Sequence, residues 1–246
     1  MKFLYCVIVS AIIMGLARVY FHRKNTPLDT VPATQVYNEA PRQIYELLFC
    51  DDLNKYAKMK KYFPVLFEQK PSQEVLLALA NDSGQESRIR ILAHRRLKET
   101  GFSAPTREVF GVIVEYNQKG NGLDTLAVYS DGNIRYINYT GKMAVITEPL
   151  PNTNIPALTK QLLEQAQQLA QTIGPWGEQR LPPPAAEQVR ITLLVNGDIC
   201  FGQAPADVMQ KDPLGAPLLQ TMAALLLEVT QAATSDKTTT GKRAHF

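Results

Sequence analysis

The residues best suited by type and spacing to do chemistry lie between positions 124 and 139. Asp124, Asp131 and Arg135 stand there with Tyr129, Tyr136, Asn138 and Tyr139. Two carboxylates near a guanidinium are a minimal set for hydrolase-type acid–base work, provided a cleft excludes water and one carboxyl keeps a proton. The same residues also suit a binding face, because Tyr and Arg combine flat contact area with hydrogen bonding. A third reading is purely structural: Tyr and Arg pair across strands, and the two Asp residues end them. Acid–base work is the least supported of the three, since the spacing shows neither a carboxylate partner nor a cleft.

Other catalytic chemistry finds less. The histidines are His22, His94 and His245, and only His94 sits in a patterned segment, among arginines that disfavour its protonation. No Cys or carboxylate stands beside it at ligand spacing, so no metal site is expected, and no cofactor. Phosphate-loop and dinucleotide fingerprints are missing, Gly120-Asn121-Gly122 fits a hairpin loop, and no Ser has a nucleophile-elbow context. Cys6, Cys50 and Cys200 are an odd set without close spacing, which reads as reduced thiols packed in a core. The chain is therefore read as non-enzymatic.

These residues need elements to hold them. After Pro105 the hydrophobic period falls from 3.6 to 2, and strands are expected at Val109–Tyr116, Leu123–Tyr129, Ile134–Tyr139 and Met143–Thr147. Asp131-Gly132 is a strong hairpin turn between the second and third. Leu158, Leu162, Ala166, Leu169 and Ile173 then recur at helical spacing until Gly174-Pro175. Asn196-Gly197 marks a second hairpin, from Val189–Val195 to Ile199–Gln203, and a largely apolar helix runs to about Ala233. The fold class expected is α+β: an antiparallel sheet, a β-meander of four strands plus the late hairpin, packed by two amphipathic helices. A small helical segment and an N-terminal membrane anchor precede it. That the late hairpin joins the meander is an inference from economy.

The helical segment spans residues 39–104. Its best-delimited helix is expected to begin at Ser83, which has capping-box spacing to Glu86, and to stop at Gly101. The pair Leu76–Ala80 and Arg88–Leu97 resembles a single HEAT-type hairpin, too few for a solenoid. Residues 1–107 carry 16 Lys and Arg against 10 Asp and Glu, whereas residues 108–246 carry 10 against 13. Lys55, Lys58, Lys60 and Lys61 around Tyr56 and Tyr62 form the densest basic stretch. Solvated helix faces explain it with fewest assumptions, a lipid surface next, and nucleic acid is disfavoured.

Residues 1–24 read as a membrane anchor or signal segment. The apolar run Phe3–Ala17 extends to Phe21 if Arg18 snorkels, and the basic cluster after it places the globular part in the cytoplasm. The expectation is a bacterial inner-membrane, single-pass protein held through residues 3–21. Cleavage near Ala17, giving a periplasmic protein, is the alternative. Residues 25–38 form a linker, 105–233 the α+β domain and 234–246 a flexible tail.

Leu123-Asp124-Thr125-Leu126-Ala127, Tyr129, Asp131-Gly132 and Arg135-Tyr136-Ile137-Asn138, with Ile173-Gly174-Pro175-Trp176, Phe201-Gly202-Gln203 and Asp212-Pro213-Leu214-Gly215, carry a resemblance. Over about Ser72 to Ala232 the chain resembles a family of uncharacterised bacterial proteins. The resemblance implies a bacterial origin and assigns no residue a role. The function expected is a membrane-tethered adaptor that docks a protein partner through its sheet face. The alternatives are a small-molecule-sensing module with its ligand between sheet and last helix, or a hydrolase-type enzyme using carboxylates near Asp124 and Asp131.

Overall fold

Alternating residues after Pro105 place one set of side chains on each face of a pleated strand, and here both sets are apolar. The computed structural model, which describes residues 30–150 and 153–239, shows why. Strands β1 (Val109–Gln118), β2 (Gly122–Tyr129), β3 (Ile134–Ile137), β4 (Met143–Ile146), β5 (Gln188–Val195) and β6 (Asp198–Pro205) form one sheet. Its order is β4-β3-β2-β1-β5-β6, and every neighbouring pair is antiparallel. The late hairpin does join the meander. It pairs with β1, so the two strands richest in apolar residues lie at the centre.

Helices cover both faces, which is why β1 and β5 read as nearly continuous apolar runs. On one face, α1 (Ala33–Val36), α2 (Glu39–Glu46), two 3-10 segments (Leu53–Lys61 and Pro64–Phe67), α3 (Gln73–Asn81) and α4 (Ser87–Glu99) pack against the sheet. Tyr45, Leu48, Leu76, Leu92 and Leu97 there share a core with Phe110, Ile113, Ala127, Ile137 and Leu194. On the other face lie α5 (Ile155–Ala170), the short α6 (Ala206–Met209) and α7 (Gly215–Thr239). Leu162, Ala166 and Leu169 of α5, and Leu218, Met222, Leu225 and Val229 of α7, meet Val112, Val128, Ile134, Ile191 and Leu193. Each fully buried aliphatic side chain contributes roughly 1.5–3 kcal/mol. Mixed helix and antiparallel sheet is therefore the observed class, with helices on both faces of the sheet.

Two local differences from expectation have simple causes. Ser83 does not cap α4, because Asp82 Oδ1 takes the Gly84 amide at 2.9 Å and closes a turn first. The helix starts at Ser87, where the cap comes from another element: Asp131 Oδ2 accepts from the Ser87 amide at 2.7 Å. The hairpin at Asn196-Gly197 also does more than reverse the chain. Gly197 has φ of 80° and lies so close to α4 that an added Cβ would stand 2.5 Å from the Arg95 nitrogen. Only glycine satisfies both conditions.

The single-pass membrane reading needs correction. Among the described residues no helix is long and apolar enough to cross a membrane. The longest helix, α7, has 25 residues but presents an apolar stripe to the sheet and Gln220, Glu228 and Gln231 within the same span. The expected anchor, residues 3–21, lies outside the described residues.

Candidate functional site

The seven residues singled out between 124 and 139 are placed on opposite faces of the sheet. Asp124, Tyr136 and Tyr139 come together at the rim of the α5/α7 face. Asp124 Oδ1 accepts from the Tyr136 hydroxyl and from the Tyr139 amide, both at 3.0 Å, and Oδ2 accepts from Gln118 Nε2. Burial, then the Asp124 charge, push the Tyr136 hydroxyl above its ordinary pKa, so it stays a donor. Tyr129 and Arg135 belong to the other side, beneath α4, and Asp131 sits in the β2–β3 turn between the two faces, where it reaches Ser87 of α4. Tyr129 is fully enclosed and its hydroxyl donates to the Leu48 carbonyl at 2.7 Å. Arg135 lies between the Tyr129 ring, 5.6 Å away, and Glu86 at 3.2 Å. Asn138 holds the β3–β4 turn, its Oδ1 accepting from the Thr140 and Lys142 amides at 3.0 Å each.

These carboxylates are occupied. Asp131 accepts from the Asn133 amide at 3.0 Å as well as from Ser87, and Asp124 accepts three donors. A general base needs a lone pair aimed at substrate. His94 is poorly placed for proton transfer. Its ring packs 4.9 Å from Phe110, and burial with the nearby Arg90 pulls its pKa down to about 4. Among the described residues no three His, Cys, Asp or Glu side chains are placed to hold a metal ion.

A groove lies where sequence spacing shows nothing. One wall is α5, which offers Ile155, Thr159, Leu163 and Gln167 at every fourth position, flanked by Pro156, Lys160 and Glu164. The opposite wall is the β2–β3 turn, Ser130 to Gly132, together with Ile146 to Pro149 as the chain leaves β4. Val109 closes the inner side. The groove has a volume of about 520 Å³ and opens to solvent. The thirteen residues of helical wall from Ile155 to Gln167 make it about 18 Å long, at a rise of 1.5 Å from each to the next.

One feature of this groove is costly. Thr159 is 7% exposed, yet its Oγ1 has no hydrogen-bond partner. Helical Thr ordinarily donates back to a carbonyl three or four residues earlier. Thr230 of α7 does so, to Leu226 and Leu227 at 2.9 Å. Gln167 at the far end is satisfied, accepting from the Val109 amide at 3.0 Å and donating to the Arg107 carbonyl. Its role is to seat α5 on the sheet.

A second polar cluster, on the α2 side, is closed. Arg190 and Glu115 face each other across β5 and β1, 2% and 0% exposed, with Nη1 3.6 Å from Oε2. Arg190 also donates to the Pro182 carbonyl at 2.7 Å and to Gln203, while the Tyr45 hydroxyl donates to Glu115 Oε1 at 2.6 Å. Arg180 adds ion pairs to Glu46 and Asp51 and covers the Phe49 ring. This lattice ties the segment before β5 to α2 and to the sheet. Its partners are protein groups, and it reads as a fastening.

No protein family matches the chain, and neither a curated protein nor a solved structure matches it significantly. Nothing in these comparisons bears on the resemblance to uncharacterised bacterial proteins.

Proposed function

We propose that the protein is a non-enzymatic binding module whose ligand lies in the groove between α5 and the chain leaving β4. The observation that carries this is the groove itself, an open trough of about 520 Å³ walled by Ile146, Ile155 and Leu163. The groove's volume falls within the range typical of small-molecule sites, and its lining mixes apolar side chains with a few polar ones. The saturated state of Asp124 and Asp131 favours binding over acid–base chemistry.

The reading predicts that native mass spectrometry of protein purified from its own cells retains a small-molecule adduct, and that Leu163→Trp, which fills the groove, abolishes it. Equal retention by both proteins would place the ligand elsewhere.

Docking of a protein partner keeps one specific observation in its favour. A sheet face is not open for it, because helices cover both. The edge is: β4 pairs with β3 alone, and Val145 is 56% exposed. The Asn138–Lys142 bond and the antiparallel alternation turn the Ala144 and Ile146 backbone toward β3, leaving that of Val145 outward. An extended partner strand would add there. Val145→Pro would abolish capture of such a partner and leave adduct retention in the groove unchanged.

A further inference from the structure

Resting on the edge-strand reading above, we infer that the strand added at β4 is β4 of a second copy of this chain, paired antiparallel about a two-fold axis at Val145. The edge itself comes first. Natural sheets blunt an open edge with charges, Pro or a bulge, and Met143 to Thr147 has none of these. The other edge of the sheet is already engaged, because the Trp176 amide donates to the Ile199 carbonyl of β6 at 2.7 Å. The register comes next. An axis at Val145 sets each residue opposite the one equally far along on the other side of it, so Val145 meets its own equivalent, Met143 meets Thr147, and Lys142 meets Glu148. Strand alternation turns the Met143 backbone outward with that of Val145, and this pairing satisfies both. Val145, 56% exposed in the single chain, packs against its own equivalent on the same face of the continued sheet. The charges come last. Lys142 and Glu148 are exposed, and among the described residues neither has an ion-pair partner. Shifting the axis by one residue in either direction separates them, so the two charges select this register. A foreign strand meets the same backbone groups, whereas a cation and an anion at equal distances from Val145 are what a copy of this strand supplies.

The test is sedimentation velocity of the full chain over about 1–500 μM, a range suited to a small interface. The expected result is a concentration-dependent rise from one chain of 27.4 kDa to two, and Val145→Pro, which takes the N–H off the open edge, should remove it. Lys142→Glu alone and Glu148→Lys alone should each weaken the dimer about tenfold or more, because like charges then face each other at both ends of the pairing. Mixing these two variants should restore association, since both facing pairs then join opposite charges again. Circular dichroism checks that each variant is folded, and the two exposed charge variants carry the test if Val145→Pro unfolds the chain. A dimer that survives Val145→Pro, or a mixture that associates no more tightly than either variant alone, would overturn the assignment. A single chain at every concentration would overturn the second copy, and the open edge itself then stands or falls by whether Val145→Pro abolishes capture of a foreign strand.

Discussion

Replacing Thr159 by Val tests whether the buried hydroxyl of α5 is a standing cost to the fold. The substitution keeps the β-branched shape and nearly the same helix propensity, and exchanges only the hydroxyl for a methyl. Because Oγ1 is buried without a partner, the wild-type chain carries a desolvation penalty of about 1–3 kcal/mol at this atom. The new methyl would lie in a wall with Ile155 and Leu163, so most of that penalty is recovered. The expected gain is about 1–2 kcal/mol, or roughly 3–6 °C in Tm for a chain of this size. Urea unfolding followed by circular dichroism should show a higher midpoint at unchanged slope. Thr230→Val is the matched control, because that hydroxyl donates to Leu226 and Leu227. It should lose stability or stay neutral. A loss of about 1 kcal/mol or more in Thr159→Val would refute the reasoning, since it would mean that the hydroxyl already has a partner.

Arg190→Met should destabilise the chain by about 3–5 kcal/mol in denaturant unfolding, because it strands the fully buried Glu115 carboxylate; adding Glu115→Gln should recover part of the loss. His94 gives an acid-side dependence. Its pKa is near 4 in the folded chain against 6.5 ordinarily, so only the unfolded state takes up the proton between these values. Stability is thus full above about pH 6.5 and falls as pH drops toward 4, by roughly 1–3 kcal/mol after allowance for solvent near the ring, and His94→Gln should flatten that part of the curve. Cys50 and Cys200 are buried, unbridged and pushed up to about 12 and about 11, so neither should react with a thiol reagent at neutral pH until the chain unfolds. Prompt labelling of the native protein would contradict their burial.

The sheet was legible in the sequence because its turns carry unambiguous chemistry. Asp131-Gly132 and Asn196-Gly197 fix two hairpins locally, and the alternation around them sets which residues share a face. Ser83 misled because a nearer bond, from Asp82 to Gly84, competes for the same turn. The true cap of α4, Asp131, is 44 residues from Ser87 and enters through tertiary contact. Strand alternation does not say that helices cover both faces of the sheet. Tyr129 lies enclosed beneath them while Tyr139 is 46% exposed.

The groove was not legible because its walls come from three separate stretches, at 130–132, 146–149 and 155–167, that only the sheet order brings side by side. The Glu115–Arg190 pair did leave a signal. Each is a lone charge continuing an otherwise buried face, Glu115 after Ile113 and Arg190 before Thr192 and Leu194, and the β1–β5 register sets them opposite. Opposite charges at matching places on two central strands are a pattern that can be sought in sequence.

Amide hydrogen exchange of the full chain as purified from its own cells, compared with its Leu163→Trp variant, reaches the binding claim most directly. Greater protection of the unsubstituted chain, confined to residues 130–132, 146–149 and 155–167, is the predicted result. Differences along α2 or the β6 edge instead, or the same pattern in both proteins, would contradict a ligand seated between α5 and β4.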